Sequence, residues 1–224
     1  AEPPGGDPLR AQPAWLGWNR GKQSIVIDLD AADGRARAAR LASSADVVID
    51  SFTPGFAPTV GLDYASLRRL NPRIISASIT GWGQNGPLAA YPAYEGAIAA
   101  RSGRMQAFEG QPLRDGPVYV AVQTASWAAS QAAVRGILAA LRVRDARGHG
   151  EWVQTSLLQG MLPYESRLIQ RPFTLRDPDA FPAPRPAAMP TLQYTPVRTK
   201  DGRWMQHANL MLRLFHSYLR AAGL

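Results

Sequence analysis

From Ser24 onward, short β-branched runs alternate with longer stretches rich in alanine and arginine. Residues 24–29 form a compact apolar run with the length and composition of a buried strand. Residues 30–44 place Leu41 and several alanines on one helical face, and residues 46–50 are strand-like again. A turn through Pro54 and Gly55 leads to a short helix that Asp63 can cap and Asn71-Pro72 can stop. Residues 73–79 are a third strand, ending at the glycine-rich stretch Gly81-Trp82-Gly83-Gln84-Asn85-Gly86-Pro87. Strands alternating with helices predict a largely parallel sheet covered on both faces.

The second half carries a long helix around residues 128–144, with Val134, Ile137, Leu138 and Leu141 on a helical period. Gly148-His149-Gly150 breaks the chain before a strand-like segment at 151–155. Proline is dense from 172 to 190, as in a connection between lobes. Beyond it, residues 194–198 and 204–207 flank Asp201-Gly202 as a hairpin, and a helical pattern runs from 210 to 224. The fold class this predicts is α/β: a Rossmann-like large domain over 1–170, a Pro-rich connection over 171–190, and the start of a small α+β domain over 191–224.

Composition narrows the chemistry. The chain has no cysteine, which excludes disulfides, thiolate metal sites and a cysteine nucleophile and makes the cytoplasm the default compartment. His149, His207 and His216 lie far apart without ligand spacing, so no metal site is expected. No apolar run is long enough for a membrane span. The net charge of +8 is almost all arginine, Lys22 and Lys200 being the only lysines. It suits an anionic partner, but the charge is scattered rather than interleaved with aromatics as in a nucleic-acid groove. Nucleic acid is therefore not the expected partner.

Several fragments recur in a fixed order: Trp18-Asn19-Arg20-Gly21-Lys22-Gln23-Ser24-Ile25, Phe52-Thr53-Pro54-Gly55, the unit from Gly61 to Ile75, Ser78 to Pro87, Gly136 to Leu141, and Arg147 to Val153. In that order and spacing the chain resembles the class III coenzyme A transferases, the CaiB/BaiF group that includes formyl-CoA transferase, carnitine-CoA transferase and α-methylacyl-CoA racemase. The resemblance implies an acyl-CoA thioester as substrate or ligand and no permanently bound cofactor. It also implies a homodimer or a tandem partner in the full-length protein, and CoA moved between carboxylic acids. By the same comparison, the first strand-helix-strand unit and a returning C-terminal segment are expected outside these 224 residues.

CoA carries a pyrophosphate and a ribose phosphate, so its binder needs cations and backbone donors near loops and helix starts. Asn19, Arg20 and Lys22 at a strand entry are candidates, against the alternative that they are solvated flanking residues. Phe52, Gly81, Gly83 and Gln84 join them, since open α/β sheets bind ligands at the carboxyl ends of their strands.

The resemblance also exposes departures. Its acyl-carrying aspartate falls ten positions before Gly136, where this chain has Ser126. A carboxylate is ionised and nucleophilic at neutral pH, whereas a serine hydroxyl needs an adjacent base. Ser126 is therefore expected to act as a helix N-cap, and its nucleophilic role to be lost. Tyr94 stands where the racemases have histidine and cannot replace it as a base. Glu95 keeps an acid at the next position, for residual acid-base work or as a helix N-terminal carboxylate. Thr53 replaces an arginine that helps the family hold CoA. Three readings follow: an active CoA transferase, a degenerate CoA-binding or scaffolding domain such as half of a tandem fusion, and a basic interaction module without catalysis.

Overall fold

The computed structural model describes residues 1–107, 116–164, 173–180, 196–206, 208 and 211–224. The chain divides into two compact units, one made of Ala1–Ile98 with Val122–Tyr164, the other of Ala99–Ala121 with Glu165–Leu224.

The first unit is built on three parallel strands, β1 (Val47–Asp50), β2 (Ile75–Thr80) and β3 (Trp152–Ser156), in the order β1-β2-β3. Val48 pairs with Ser76 and Ala77 with Val153, and Ser76, Ala77 and Ser78 of central β2 are flanked on both sides. That placement is why β2 is almost continuously buried rather than alternating. One face of the sheet packs against helices α2 (Ala32–Ser43) and α4 (Tyr64–Leu70), which follow α1 (Ala14–Trp18) and α3 (Phe56–Thr59) in the chain. Ala38, Ala42, Leu67 and Ile74 form its core, with Val48 and Tyr64 packed against them. Asp63 caps α4 as expected, its carboxylate accepting from the Ser66 amide at 3.1 Å, and Asn71 ends the helix.

The other face carries α7 (Thr124–Arg147), which follows α5 (Glu95–Ser102) and α6 (Arg104–Ala107). Ala125, Ala128, Ala129, Ala133 and Ala140 are its buried residues. Small residues allow helix and sheet to approach closely: a Cβ on Gly136 would lie 2.6 Å from a Val153 methyl. Gly148 closes the helix in the left-handed conformation. A short α8 (Leu157–Met161) leaves the end of β3, capped by Ser156 and lying against the first half of α7 through Gly160.

One expected strand differs. Among the described residues, 24–29 make only an isolated parallel bridge, Val26 with Glu2, through hydrogen bonds of 2.8 and 2.9 Å. Ile27 is buried as the apolar run predicts, but a single partner residue gives no ladder. The long helix begins four residues earlier than its hydrophobic period indicates, because residues 124–127 include two small and two polar or exposed positions.

In the second unit, Pro196–Arg198 and Trp204–Gln206 pair antiparallel, the hairpin expected around Asp201-Gly202, and a helix spans Leu212–Ala221. The Pro-rich connection expected at 171–190 lies outside the described residues except for 173–180.

Candidate active site

The carboxyl ends of β2 and β3 and the first turn of α7 share one apolar cluster. Ile98, Ala125 and Met161 are its buried members, and Trp82, Ala93, Leu157 and Leu158 pack against them. This cluster fixes the start of α5 against the start of α7, and two polar side chains meet beside it.

Glu95 is the first residue of α5, and Ser126 the third of α7. The Ala125 amide donates to Glu95 Oε1 at 2.6 Å, the Ser126 amide to Oε2 at 3.1 Å, and the Ser126 hydroxyl to Oε2 at 2.8 Å. The expectation that Ser126 caps the helix is thus corrected. Gln123 occupies the cap position without a side-chain bond, and the Glu95 carboxylate supplies the acceptor from another helix. An anion there meets both the free amides of the first turn and the positive end of a 24-residue helix. Glu95 and Ser126 are each half-buried, so the pair stays open to a ligand.

Gly81 positions this arrangement. A side chain on it would overlap the methyl of Ala93, two residues before Glu95, while its carbonyl accepts from the Leu158 amide at 3.2 Å. Trp82 reaches back to the Pro92 carbonyl at 3.3 Å. Gly83 has φ +106 and its amide donates to the Thr80 hydroxyl at 3.1 Å, a turn that L side chains rarely adopt. Gln84 follows in the same loop and is half-buried. Tyr94 is 72% exposed and is not part of the cluster.

The remaining candidates lie elsewhere. Asn19 ends α1, bonds to the Trp15 carbonyl and accepts from Lys22 Nζ at 3.1 Å; Arg20 is exposed between them. Phe52 packs on the α2–α4 core and on Phe56, with ring centroids 5.1 Å apart. It lines an open cleft of about 710 Å3 with Ile25, Leu29, Leu41 and Val48, a cleft that Glu95 and Ser126 do not line. Below Phe52, buried Asp50 accepts from the Ser78 hydroxyl at 2.7 Å, and Ser78 accepts from the Trp152 indole at 3.1 Å. This chain crosses all three strands: Asp50 and Ser78 are register partners, and Trp152 lies two positions before the partner of Ser78 on β3, a juxtaposition no local pattern signals.

Among the described residues, no helix is long and apolar enough to cross a membrane.

The chain is 36% identical over 175 residues to the acetyl-CoA:oxalate CoA-transferase of Acetobacter aceti, covering 73% of this chain and 44% of that protein. It is 40% identical over 143 residues to the succinate–glutarate CoA-transferase of Agrobacterium fabrum, covering 62% and 34%. The crystal structure of a CaiB/BaiF family protein from Brucella suis superposes with a TM-score of 0.71 at 30% identity, covering 91% of this chain and 56% of that one. The chain therefore spans less than half the length of these two curated relatives. With the CoA-transferase family III model matching residues 1–224, and a parallel sheet that agrees with the solved structure, the chain belongs to CoA-transferase family III.

Proposed function

We propose that the protein moves CoA between carboxylic acids, and that this chain supplies the acyl-CoA thioester site at the first turn of α7. The observation that carries the reading is the half-buried Glu95 carboxylate held on the Ala125 and Ser126 amides. A carboxylate there, one hydrogen bond from Ser126, is the candidate nucleophile beside the position where the family resemblance puts its acyl-carrying aspartate. The Gly81–Gly83 loop supports it, since backbone without side chains at a strand's carboxyl end suits a thioester arm. Two relatives whose names specify CoA transfer between acids point the same way. Arg20 and Lys22 are the proposed phosphate contacts of the CoA nucleotide. Association with a second copy or a tandem module, and a large domain over 1–170 with a small one from 191, complete the proposal. The degenerate reading loses its main support, because a carboxylate remains at the site.

The test is a CoA-exchange assay on the complete polypeptide, with succinyl-CoA or acetyl-CoA as donor and oxalate, glutarate or succinate as acceptor. Formation of the acceptor's thioester supports the reading. CoA binding by calorimetry without any exchange would leave a binding module and overturn it.

A further inference from the structure

We propose that Glu95, rather than Ser126, is the catalytic residue that carries first the acyl group and then CoA; this assignment rests on the CoA-transfer reading above. The chemistry of the transfer selects the group. CoA must be parked on the enzyme as a thioester while the donor acid leaves, and only a carboxylate can hold it so. A serine hydroxyl accepts an acyl group as an ester, and thiolate attack on that ester merely regenerates the starting thioester. Ser126 cannot fill the role whatever base activates it.

The steps balance with Glu95. One carboxylate oxygen attacks the thioester carbonyl carbon, the C–S bond breaks, and CoA leaves as its thiolate, giving a glutamyl–acyl anhydride. The thiolate then attacks the glutamyl carbonyl carbon. The donor acid departs as its carboxylate, carrying one Glu95 oxygen, and a glutamyl–CoA thioester remains. The acceptor carboxylate runs both steps in reverse. No proton, electron or further reactant is needed.

The geometry favours the second step in particular. There the tetrahedral centre is Glu95's own carboxyl carbon, and its oxyanion is an atom already bound by amide hydrogen. The Ala125 amide lies 2.6 Å from Oε1 and the Ser126 amide 3.1 Å from Oε2, so whichever oxygen attacks, the other keeps a backbone donor. Ser126 then acts as a positioning residue, its hydroxyl orienting Oε2 at 2.8 Å. The Glu95 carboxylate lies one hydrogen bond from the Ser126 side chain, so the nucleophile is displaced by one side chain and not lost.

The experiment traps the intermediate. The complete polypeptide is mixed with succinyl-CoA, quenched with hydroxylamine, and its peptides mapped by mass spectrometry, alongside Glu95→Gln and Ser126→Ala. Glu95→Gln keeps one oxygen acceptor, enough for one of the two amides, and thermal melts show whether it folds. The expected result is a hydroxamate at Glu95 in the wild type and in Ser126→Ala. Exchange in Ser126→Ala should fall by about tenfold for one lost hydrogen bond. In Glu95→Gln it should fall on the order of a thousandfold or more, as when a nucleophile is removed, with CoA binding retained. An adduct on Ser126, or exchange in Glu95→Gln near the wild-type rate, overturns the assignment alone. No exchange by the wild type with any acceptor overturns the broader reading and this one with it.

Discussion

Glu95 and Ser126, 31 positions apart, are joined twice: the Ser126 hydroxyl and the Ser126 amide both donate to Glu95 Oε2, at 2.8 and 3.1 Å. Loss of the carboxylate should therefore weaken the fold as well as the chemistry. Glu95→Ala leaves the first amides of α7 without their acceptor and is expected to cost about 1–2 kcal/mol, the usual range for a lost helix cap. Glu95→Gln should cost less than half of that. Urea denaturation of both variants measures it; equal stability of Glu95→Ala and wild type would remove the capping role.

Gly81 should prove intolerant of any side chain. A methyl there would overlap the Ala93 methyl, so Gly81→Ala forces the segment leading to Glu95 outward. The expected destabilisation is about 1–3 kcal/mol, as for other overpacked sites. Adding Ala93→Gly should recover most of it, and a double-mutant cycle reads the coupling. Additive effects would show that the two positions do not meet.

A second carboxylate at the site should not improve it. Ser126→Asp puts two acids within hydrogen-bond reach, where both cannot ionise and they share a proton. The lower limb of the pH–rate profile should move toward neutrality by about one unit or more. A profile identical to wild type would contradict the contact.

Much of this fold is legible in the sequence, and the reason is local. The strand at Ile75–Thr80, the Asp63 cap and the Gly148 stop each depend on residues within a turn of one another. Residues 24–29 mislead because an apolar run reports burial, which Ile27 shows, and not a strand partner, which among the described residues only Glu2 provides. Ser126 misleads for the opposite reason. Its sequence neighbours carry no acid, and its partner comes from a different helix, so the identity of the capping group was a tertiary fact. The Asp50–Ser78–Trp152 chain was hidden in the same way, across three strands.

Acid should loosen the N-terminal segment before the core. Bonds from the Arg10 side chain first, then from Ser24 and the Asp7 amide, hold Glu2 at a pKa of about 2 instead of 4.5. A depressed carboxylate contributes its stability above pH 4.5 and loses it as the pH falls toward about 2. Amide exchange at Ile27, which donates to the Glu2 carbonyl at 2.9 Å, should therefore accelerate across that window. The Glu2→Gln variant should lack the pH dependence. An Ile27 amide that is equally protected at both ends would place the segment's stability elsewhere.

The nucleophile itself is open to the most direct test through the fate of one oxygen atom. If the acceptor acid attacks a glutamyl thioester, an acceptor oxygen must remain in the enzyme carboxylate after CoA departs with the acceptor acyl group. The complete polypeptide is charged with succinyl-CoA, freed of excess donor, and given an acceptor acid labelled with heavy oxygen in its carboxylate. After a single turnover its peptides are weighed. One heavy oxygen is expected in the peptide bearing Glu95, located to that side chain by fragmentation. Label on another residue, or completed transfer with no label in the protein, would contradict it.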